Sequence, residues 1–311
     1  MKKVLFATTA LVMTAGVAAA EVSLSGDGRM GVVYNGSDWN FSSRARVTFT
    51  LSGTTDNGIE FGGSFRADQA GDSVVNNGAA YGSEGSVYVS GAFGKIEMGD
   101  AVSAPEALFG DLAEVGYTGT DLKTVAGGNN EIPYLTGDGV TTLRDNPVVL
   151  YTYSTGPISV AASMSDGKLG SVNDQQEYAV AGAYTYENYT VGIGYEYLED
   201  VGGVAGVDAT QGELAGVATF GDTSVKAYFA KGGKQNPVDQ AFGLGVTSKF
   251  GATTVMGYVQ KAEATAGGDV TWYGLGASYD LGGGASIVGG IADDDTAGSD
   301  PVADLGVKFK F

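Results

Sequence analysis

The sequence predicts an all-β protein, a closed transmembrane antiparallel β-barrel of about 16 strands. Hydrophobic and polar residues alternate along many segments of the chain. Several of these segments reach the roughly 9–11 residues that a barrel strand needs to cross a bilayer. Tight and long connections also alternate along the chain. Short turns at one rim and long loops at the other are typical of outer-membrane barrels.

The alternation is clearest in residues 40–52, where most odd-numbered positions are apolar and the even-numbered positions are polar. Successive side chains of a strand point to opposite faces, so this segment has one apolar face and one polar face. A soluble β-sandwich would alternate too, but its strands average only about 5–6 residues. The same period of two recurs in 59–68, 158–165, 178–186, 189–197 and 303–311.

The predicted connections fall into two size classes, as the two rims of a barrel require. Tight turns are expected at 54–58, 155–157, 187–188, 221–222 and 281–284. Long polar loops are expected at 70–82, 168–175, 201–210 and 292–300.

Residues 1–20 have the features of a secretory signal peptide. Lys2 and Lys3 precede a short apolar run, which ends in three alanines just before Glu21. The run is short for a membrane anchor, which needs roughly 20 residues. We therefore expect a mature chain of residues 21–311 that forms a single barrel domain. Cleavage would remove two lysines and leave 15 basic against 36 acidic residues, a net charge of −21.

The composition argues against several classes of function. The chain has no histidine and no cysteine, so neither a Ser-His-Asp nor a Cys-His site can be built from it. A barrel enzyme such as a phospholipase or protease is therefore not expected. The acidic excess argues against nucleic-acid partners, because a protein that binds nucleic acid needs a basic surface to neutralise the phosphates. A G-x-G-x-x-G pattern at 26–31 lies within an alternating segment instead of opening a helix, so we do not interpret it as a nucleotide site.

Four segments carry a family resemblance. They are Glu21-Val-Ser-Leu-Ser-Gly26, Ser90-Gly-Ala-Phe-Gly-Lys-Ile-Glu-Met-Gly99, Ile132-Pro-Tyr-Leu-Thr-Gly137 and Asp145-Asn-Pro-Val-Val-Leu-Tyr-Thr-Tyr153. In this order they resemble porins of the Rhodobacter type along the mature chain. The resemblance implies a sixteen-stranded homotrimer in the outer membrane of a Gram-negative bacterium. It implies a water-filled channel for passive diffusion of small hydrophilic solutes and ions. A channel specific for one solute is the alternative.

The longest segment without alternation, residues 99–146, is too long for a plain connector in a compact barrel. Taken alone, its acidic residues fit an external solvated loop as well as an internal one. In the porins that the chain resembles, this loop folds inward and narrows the pore. The acidic side of the predicted constriction consists of Asp100, Glu106, Asp111, Glu114 and Asp121.

Four of the five arginines, Arg29, Arg44, Arg46 and Arg66, fall in the first three predicted strands on their polar faces. An arginine facing lipid at mid-membrane costs about 2–4 kcal/mol, so these side chains should point into the pore. An opposing acidic loop would offset their mutual repulsion. Scattered lumen charges without such opposition are the alternative. With the net negative charge, we expect a weak preference for cations.

Two further expectations concern the ends of the barrel. Phe311, at the end of an alternating segment, resembles the terminal signal that the barrel-assembly machinery recognises. Lipid and lipopolysaccharide are the other expected partners. The mechanism requires no cofactor, although the resemblance allows Ca²⁺ at acidic loop residues. Asp293, Asp294, Asp295 and Asp300 could also bind Ca²⁺, but a solvated external loop is the simpler interpretation.

Overall fold

The computed structural model of the protein describes residues 20–70, 85–118, 130–137, 147–166 and 175–311. The predicted signal peptide, apart from its last residue, lies outside this part of the chain. The described residues form sixteen strands, one short α-helix and one 3-10 turn at Val201–Gly203. The strands are β1 (Glu21–Tyr34), β2 (Trp39–Thr54), β3 (Glu60–Ala70), β4 (Gly85–Gly91), β5 (Gly94–Gly99), β6 (Val148–Thr155), β7 (Ile158–Ser165), β8 (Gln176–Tyr186), β9 (Tyr189–Glu199), β10 (Ala209–Phe220), β11 (Thr223–Lys234), β12 (Val238–Phe250), β13 (Thr253–Ala264), β14 (Asp269–Gly282), β15 (Ala285–Asp294) and β16 (Val302–Lys310), and the helix is α1 (Ala104–Phe109).

The sheet closes on itself, which confirms the predicted barrel. Each strand pairs with the strands before and after it in the chain, and β1 also pairs antiparallel with β16. The last residue continues this seam: Phe311 N donates to Gly26 O at 2.8 Å, and Gly26 N donates to Phe311 O at 3.3 Å. Closure matters because an open sheet edge would leave backbone groups without partners in lipid.

The alternation predicted from the sequence appears as an apolar outer face and a polar inner face. On β2 Phe41 is 91% exposed, while Arg44, three residues further on and on the other face, has 23% of its side chain exposed. The buried residues are concentrated inside the barrel, between the wall and the segment that joins β5 to β6. The fold is therefore a single-layered wall whose core is supplied by that inner segment.

The strand bounds agree with the alternating segments to within about two residues, the usual scatter of strand ends. Two differences concern the rim of long loops. There the connections 235–237 and 265–268 are short, and β10 already begins at Ala209, inside a predicted loop. A further difference is that β4 has 7 residues and β5 has 6, so this side of the wall is low.

Among the described residues, no helix has the length and apolar character needed to cross a membrane.

Candidate functional site: the narrowed lumen

The segment between β5 and β6 runs along the inside of the wall. Its described residues, 100–118, 130–137 and 147, include side chains buried completely within the closed barrel, such as those of Val115 and Leu135. Inward folding is therefore a property of this structure. The loop passes the strands of the wall in order, beginning with α1 on β7, β8 and β9. Phe109 and Asp111 then lie at Lys226 of β11, and Leu112 lies at Gly245 of β12. The contacts that follow are Val115 with Gly276 of β14, Gly116 with Gly290 of β15, Tyr117 with Gly306 of β16 and Thr118 with Arg29 of β1.

Helix α1 begins this path and is fixed by local sequence. Ser103 precedes the helix, and its hydroxyl accepts a hydrogen bond from Glu106 N at 3.4 Å, as an N-cap residue does. Pro105 lies in the first turn, where its missing N–H costs nothing. The helix is tied to the wall because Ala104 N donates to Ser163 Oγ of β7 at 2.9 Å.

Small residues on the inner face of the wall let the loop lie close to it. Alanines of β7, β8 and β10 are buried beneath the loop. Gly192 lies under Phe109, and an added Cβ there would overlap the phenyl ring. At Gly306 an added Cβ would lie 2.9 Å from the ring of Tyr117. Because protein interiors are close-packed, such positions specify where the loop can lie.

The far end of the path, residues 114–118, is held by charged groups. Lys308 Nζ on β16 donates to Glu114 Oε1 at 2.9 Å. Thr118 donates to Asp304 Oδ2 from its backbone N at 2.7 Å and from its hydroxyl at 2.6 Å. The Thr118 carbonyl in turn accepts from Arg29 Nη1 at 2.9 Å, and the Arg29 guanidinium lies 6.0 Å from the Tyr117 ring centroid. The loop thereby meets the basic side of the wall through a backbone oxygen.

The middle of the path is held by a lysine and by contacts within the loop. Lys226 Nζ on β11 donates to the carbonyls of Phe109 and Asp111, each at 2.6 Å. The Asp111 carboxylate accepts from Ile132 N at 2.9 Å, which joins the two described parts of the loop. Tyr134 OH donates to Gly110 O at 3.0 Å. Burial raises the pKa of Tyr134 well above its ordinary value, so this phenol stays a neutral donor.

The returning segment, residues 133–137, rests on carboxyl groups of the wall. Glu196 of β9 accepts from the backbone amides of Leu135 and Thr136 at 2.6 and 3.1 Å, and from the Thr136 hydroxyl at 2.6 Å. Glu177 of β8 accepts from Gly137 N at 3.0 Å. Backbone amides are the donors that a buried carboxylate needs, since an ion without partners inside a protein is costly.

The basic wall of β1 to β3 contains an acidic residue that pairs with it. Arg44 Nη2 lies 3.1 Å from Asp27 Oδ1, and Arg46 Nε lies 3.9 Å from Asp27 Oδ2. Asp27 stands directly opposite Arg46 in the register of β1 and β2, so the pairing follows from the sheet itself. Arg66 lies on the same face of the neighbouring strand β3, in register with Thr48.

The structure places the residues of the predicted constriction in several groups. Arg29 contacts Thr118 of the loop, and Arg44 and Arg46 share Asp27. Of the acidic loop residues, Glu114 reaches Lys308, Asp111 binds within the loop beside Lys226, and Glu106 lies in α1. Asp100 follows β5 directly, with its N–H donating to Gly85 O at 3.0 Å. Asp121 lies outside the described residues. That these residues set the pore's selectivity stays a prediction.

Sequence reasoning missed four wall residues that hold the loop, Glu177, Glu196, Lys226 and Asp304. It also missed Asp27 as the partner of Arg44 and Arg46. Each occupies an inward position of an alternating strand, so polarity alone did not distinguish it from residues that face water. A usable signal is the mixture of alanines and isolated carboxylates on the inner faces of β8 to β10, because alanine there indicates close approach by another segment.

In the part of the chain that the structure describes, no three acidic side chains come together in a way that could hold a metal ion. The acidic run 293–295 instead makes local turn contacts, including Asp295 Oδ1 accepting from Thr271 N at 2.8 Å. This backbone hydrogen bond lowers the pKa of Asp295, because it favours the ionised carboxylate.

Comparison with known proteins agrees with this architecture. A family model for Gram-negative porins matches residues 7–299. The porin of Rhodobacter capsulatus is 60% identical in an alignment of 311 residues that covers 94% of this chain and 100% of the relative. The porin of Fuscovulum blasticum is 28% identical, with 94% of this chain and 100% of the relative covered.

Solved structures show the same fold. A porin structure refined at 1.8 Å superposes with a TM-score of 0.81 at 58% identity, covering 94% of this chain and 100% of that chain. A mutant of the Rh. blastica porin superposes with a TM-score of 0.69 at 23% identity, covering 93% and 100%. The closed sixteen-stranded barrel, its inward loop and these matches show that the chain belongs to the Gram-negative porin family.

Proposed function

We propose that this general diffusion porin has its narrowest point between the arginines of β1 to β3 and the inner loop, and that it weakly prefers cations. As a member of its family the chain forms a passive channel in the outer membrane and is not an enzyme. The finer proposal concerns which charges meet the solute. It rests on one observation, the course of the loop along the wall.

The contacts of the described loop residues follow the wall from β7 to β16 and reach Arg29 on β1. Arg44 and Arg46 on β2 and Arg66 on β3 continue the basic wall on the next two strands. This basic wall lies away from α1, which packs on β7 to β9. Arg44 and Arg46 keep about a fifth of their side-chain surface exposed, at 23% and 19%, so they remain accessible to water and ions.

Such an arrangement gives a field across the channel. Guanidinium groups on one side and carboxylates of the loop on the other orient water and dipolar solutes between them. Polar solutes pass through this ordered water more easily than apolar solutes of equal size. Asp27 offsets part of the arginine charge, and the mature chain would carry −21 overall. These two facts favour cations, most strongly in dilute salt where the Debye length is long.

Reversal potentials in a salt gradient test the proposal. Replacing Arg44 and Arg46 together by Gln should increase cation preference, and the effect should fade above about 1 M salt as screening shortens the Debye length to about 3 Å. Lys231→Gln is the matched control, since Lys231 is half-exposed and pairs with Asp239 at 2.8 Å, away from the arginine wall. An unchanged reversal potential in the arginine variant at low salt would contradict the proposal.

We further propose that the low side of the wall meets neighbouring subunits in a homotrimer. Strands β4 and β5, with 7 and 6 residues, are shorter than the roughly 9–11 residues that cross the apolar band. Their outward side chains are nevertheless apolar and exposed, as at Val87 and Met98. A closed ring of subunits would cover this face and avoid open-ended association.

Single cysteines test the trimer cleanly, because the chain has no cysteine of its own. Val87→Cys on the low side should react slowly with a maleimide in mild detergent and quickly after heating dissociates the oligomer. Val180→Cys, an exposed outward position on β8, is the control and should react at the same rate before and after heating. Equal rates at both positions in the unheated protein would exclude this interface.

The remaining partners are also proposals. The apolar outer face supports contact with outer-membrane lipid and lipopolysaccharide. Phe311, 85% exposed at the seam, is available to the barrel-assembly machinery. Residues 1–20 would direct export before cleavage.

Ca²⁺ at acidic loop residues would need ligands from segments outside the described residues. Conductance measured with and without a chelator would test whether Ca²⁺ binds there.

A further inference from the structure

Three glutamates on neighbouring strands lie together beneath the inner loop. Glu177 on β8, Glu196 on β9 and Glu213 on β10 are 4, 0 and 6% exposed. Glu213 lies across Gly194, which stands opposite it in the register, and a Cβ on Gly194 would come within 2.6 Å of Glu213 Oε2. The glycine therefore makes room for a carboxyl group that lies flat against the wall, below Pro105 of α1.

Glu196 acts only as an acceptor. Its two oxygens take the hydrogen bonds from Leu135 and Thr136 described above, and Gln211 Nε2 lies 3.4 Å from Oε2. Gln211 is itself fixed, because its amide donates to Pro133 O at 2.7 Å and accepts from Asn236 Nδ2 at 3.0 Å. An oxygen pair that accepts from this many donors is the ionised form of the carboxyl group.

Glu213 has the opposite situation. Both of its side-chain oxygens are buried, and within the described part of the chain neither is in a hydrogen bond of normal geometry with an N–H or O–H donor. The nearby amide of Gln211 donates to Pro133 O and lies 3.4 Å from Glu196. In the register of β9 and β10, Glu196 stands opposite Gln211 and Glu213 opposite Gly194, so the two glutamates are diagonal neighbours and their carboxyl groups are hydrogen-bonding partners. Two ionised carboxylates repel and cannot bond in this way, whereas a protonated one donates to an ionised one.

We infer that Glu213 keeps its proton in the folded channel and donates it to Glu196, so that the two side chains form a proton-dependent latch on residues 133–137. Glu196 and Glu213 are positioning residues: they do not have to touch the solute. They hold the returning segment of the loop, and that segment supports Tyr134 and Gly110 at the end of α1.

The groups around the pair are mostly acidic or neutral. Glu177 stands on the next strand, Glu106 lies beside Pro105 in α1, and Asp111 and the neutral phenol of Tyr134 belong to the loop. Tyr228 and Lys226 face inward from β11, and Lys226 Nζ is engaged by two loop carbonyls. Loss of the Glu213 proton would therefore add a negative charge beside other negative charges.

The pH dependence follows from proton counting. A carboxyl group that faces water is ionised at neutral pH. The latched state therefore binds one proton more than the released state, and raising the pH favours release. On release the Glu213 proton passes to water and no other covalent bond changes, while the hydrogen bonds of residues 135–136 to Glu196 open. In the pH range where the released Glu213 is ionised and the latched Glu213 is protonated, each pH unit lowers the ratio of latched to released loop about tenfold.

Two measurements test the latch. Hydrogen exchange of the amides of residues 135–137 should accelerate as the pH is raised from about 7 to about 10, beyond the intrinsic increase seen in an unstructured peptide. Planar-bilayer recordings over the same range should show added current noise and easier closure by voltage. The first readout is independent of channel function, so failure of the latch and failure of the proposed pore mechanism are distinguishable.

The decisive variant is Glu213→Gln, whose amide donates to Glu196 but has no proton to lose at these pH values. It should assemble normally and should lose the alkaline response in both measurements. Glu196→Gln removes the ionised acceptor and should release the loop at every pH. Glu114→Gln, a change in the same loop beyond the cluster, should keep the alkaline response. An alkaline response that persists in Glu213→Gln, or is absent from the wild type, would overturn the inference.

Discussion

Asp304 and Thr118 form a two-pronged contact: one carboxyl oxygen of Asp304 accepts from both the backbone N–H and the hydroxyl of Thr118, at 2.7 and 2.6 Å. The contact joins β16 to the end of the described loop. Since the Thr118 carbonyl also binds Arg29 of β1, the same residue spans the seam where the barrel closes.

We predict that Asp304→Ala loosens this end of the loop. Hydrogen bonds to a charged group contribute about 1.5–3 kcal/mol each, and the alanine cannot replace them. Exchange of the amides at 116–118 should accelerate, and single-channel conductance should fluctuate more than in the wild type. Asp239→Ala, which removes an exposed carboxylate paired with Lys231, should leave both quantities unchanged.

Glu114 and Lys308 are predicted to act on selectivity as a pair. Each lies at least a third exposed in the lumen, at 54 and 34% of the side chain, so each contributes to the potential that an ion meets. Glu114→Gln should shift the reversal potential toward anions and Lys308→Gln toward cations. The double variant should return close to the wild-type value in dilute salt. Two shifts of the same sign would show that the pair does not act through its charge.

Gly192 is predicted to set the position of α1. A methyl group at this position overlaps the Phe109 ring, so Gly192→Ala should displace the helix into the lumen at a cost of about 1–3 kcal/mol. The expected result is lower conductance with unchanged assembly. Gly212→Ala is the control, since an added Cβ there has no neighbour within 4 Å among the described residues. Equal conductance in the two variants would contradict the role given to Gly192.

Phe311 is predicted to contribute twice to assembly. Deleting it removes two backbone hydrogen bonds to Gly26 as well as the terminal side chain. We expect less barrel in the outer membrane and more periplasmic precursor or degraded protein.

A substitution separates these two contributions. Phe311→Ala keeps the backbone bonds and removes only the ring. If the assembly machinery recognises the ring, this variant should assemble poorly in cells but refold in detergent almost as well as the wild type. Poor refolding in detergent would assign the effect to barrel stability instead.

Much of this fold could be predicted because alternation is local. The segment 40–52 showed which side chains face lipid, and β2 has that orientation. The short lengths of β4 and β5 were not predicted, because alternation shows which face a residue is on but not where a strand ends. Inward folding of the loop came from family resemblance, because its acidic residues fit an external loop equally well.

The partners within the site could not be derived in the same way. Asp27 pairs with Arg44 and Arg46 because of the register between β1 and β2, which the pattern on either strand alone does not specify. Glu196 and Gln211 look like ordinary lumen residues until the loop covers them. Each of these contacts joins residues that only the tertiary structure brings together, so a periodic pattern along one strand carries no information about the contact.

The order of the strands has a consequence for how the chain folds. Every pairing joins consecutive strands except the one between β1 and β16. Local hairpins close short loops at little entropic cost, whereas the last pairing must bring together the two ends of the barrel. The largest closure entropy therefore belongs to the β1–β16 pairing, at the strand that leads into Phe311, followed by the β5–β6 pairing across the inner loop. A barrel that lacks its final strand has two open edges, and open edges of this kind can pair with other chains.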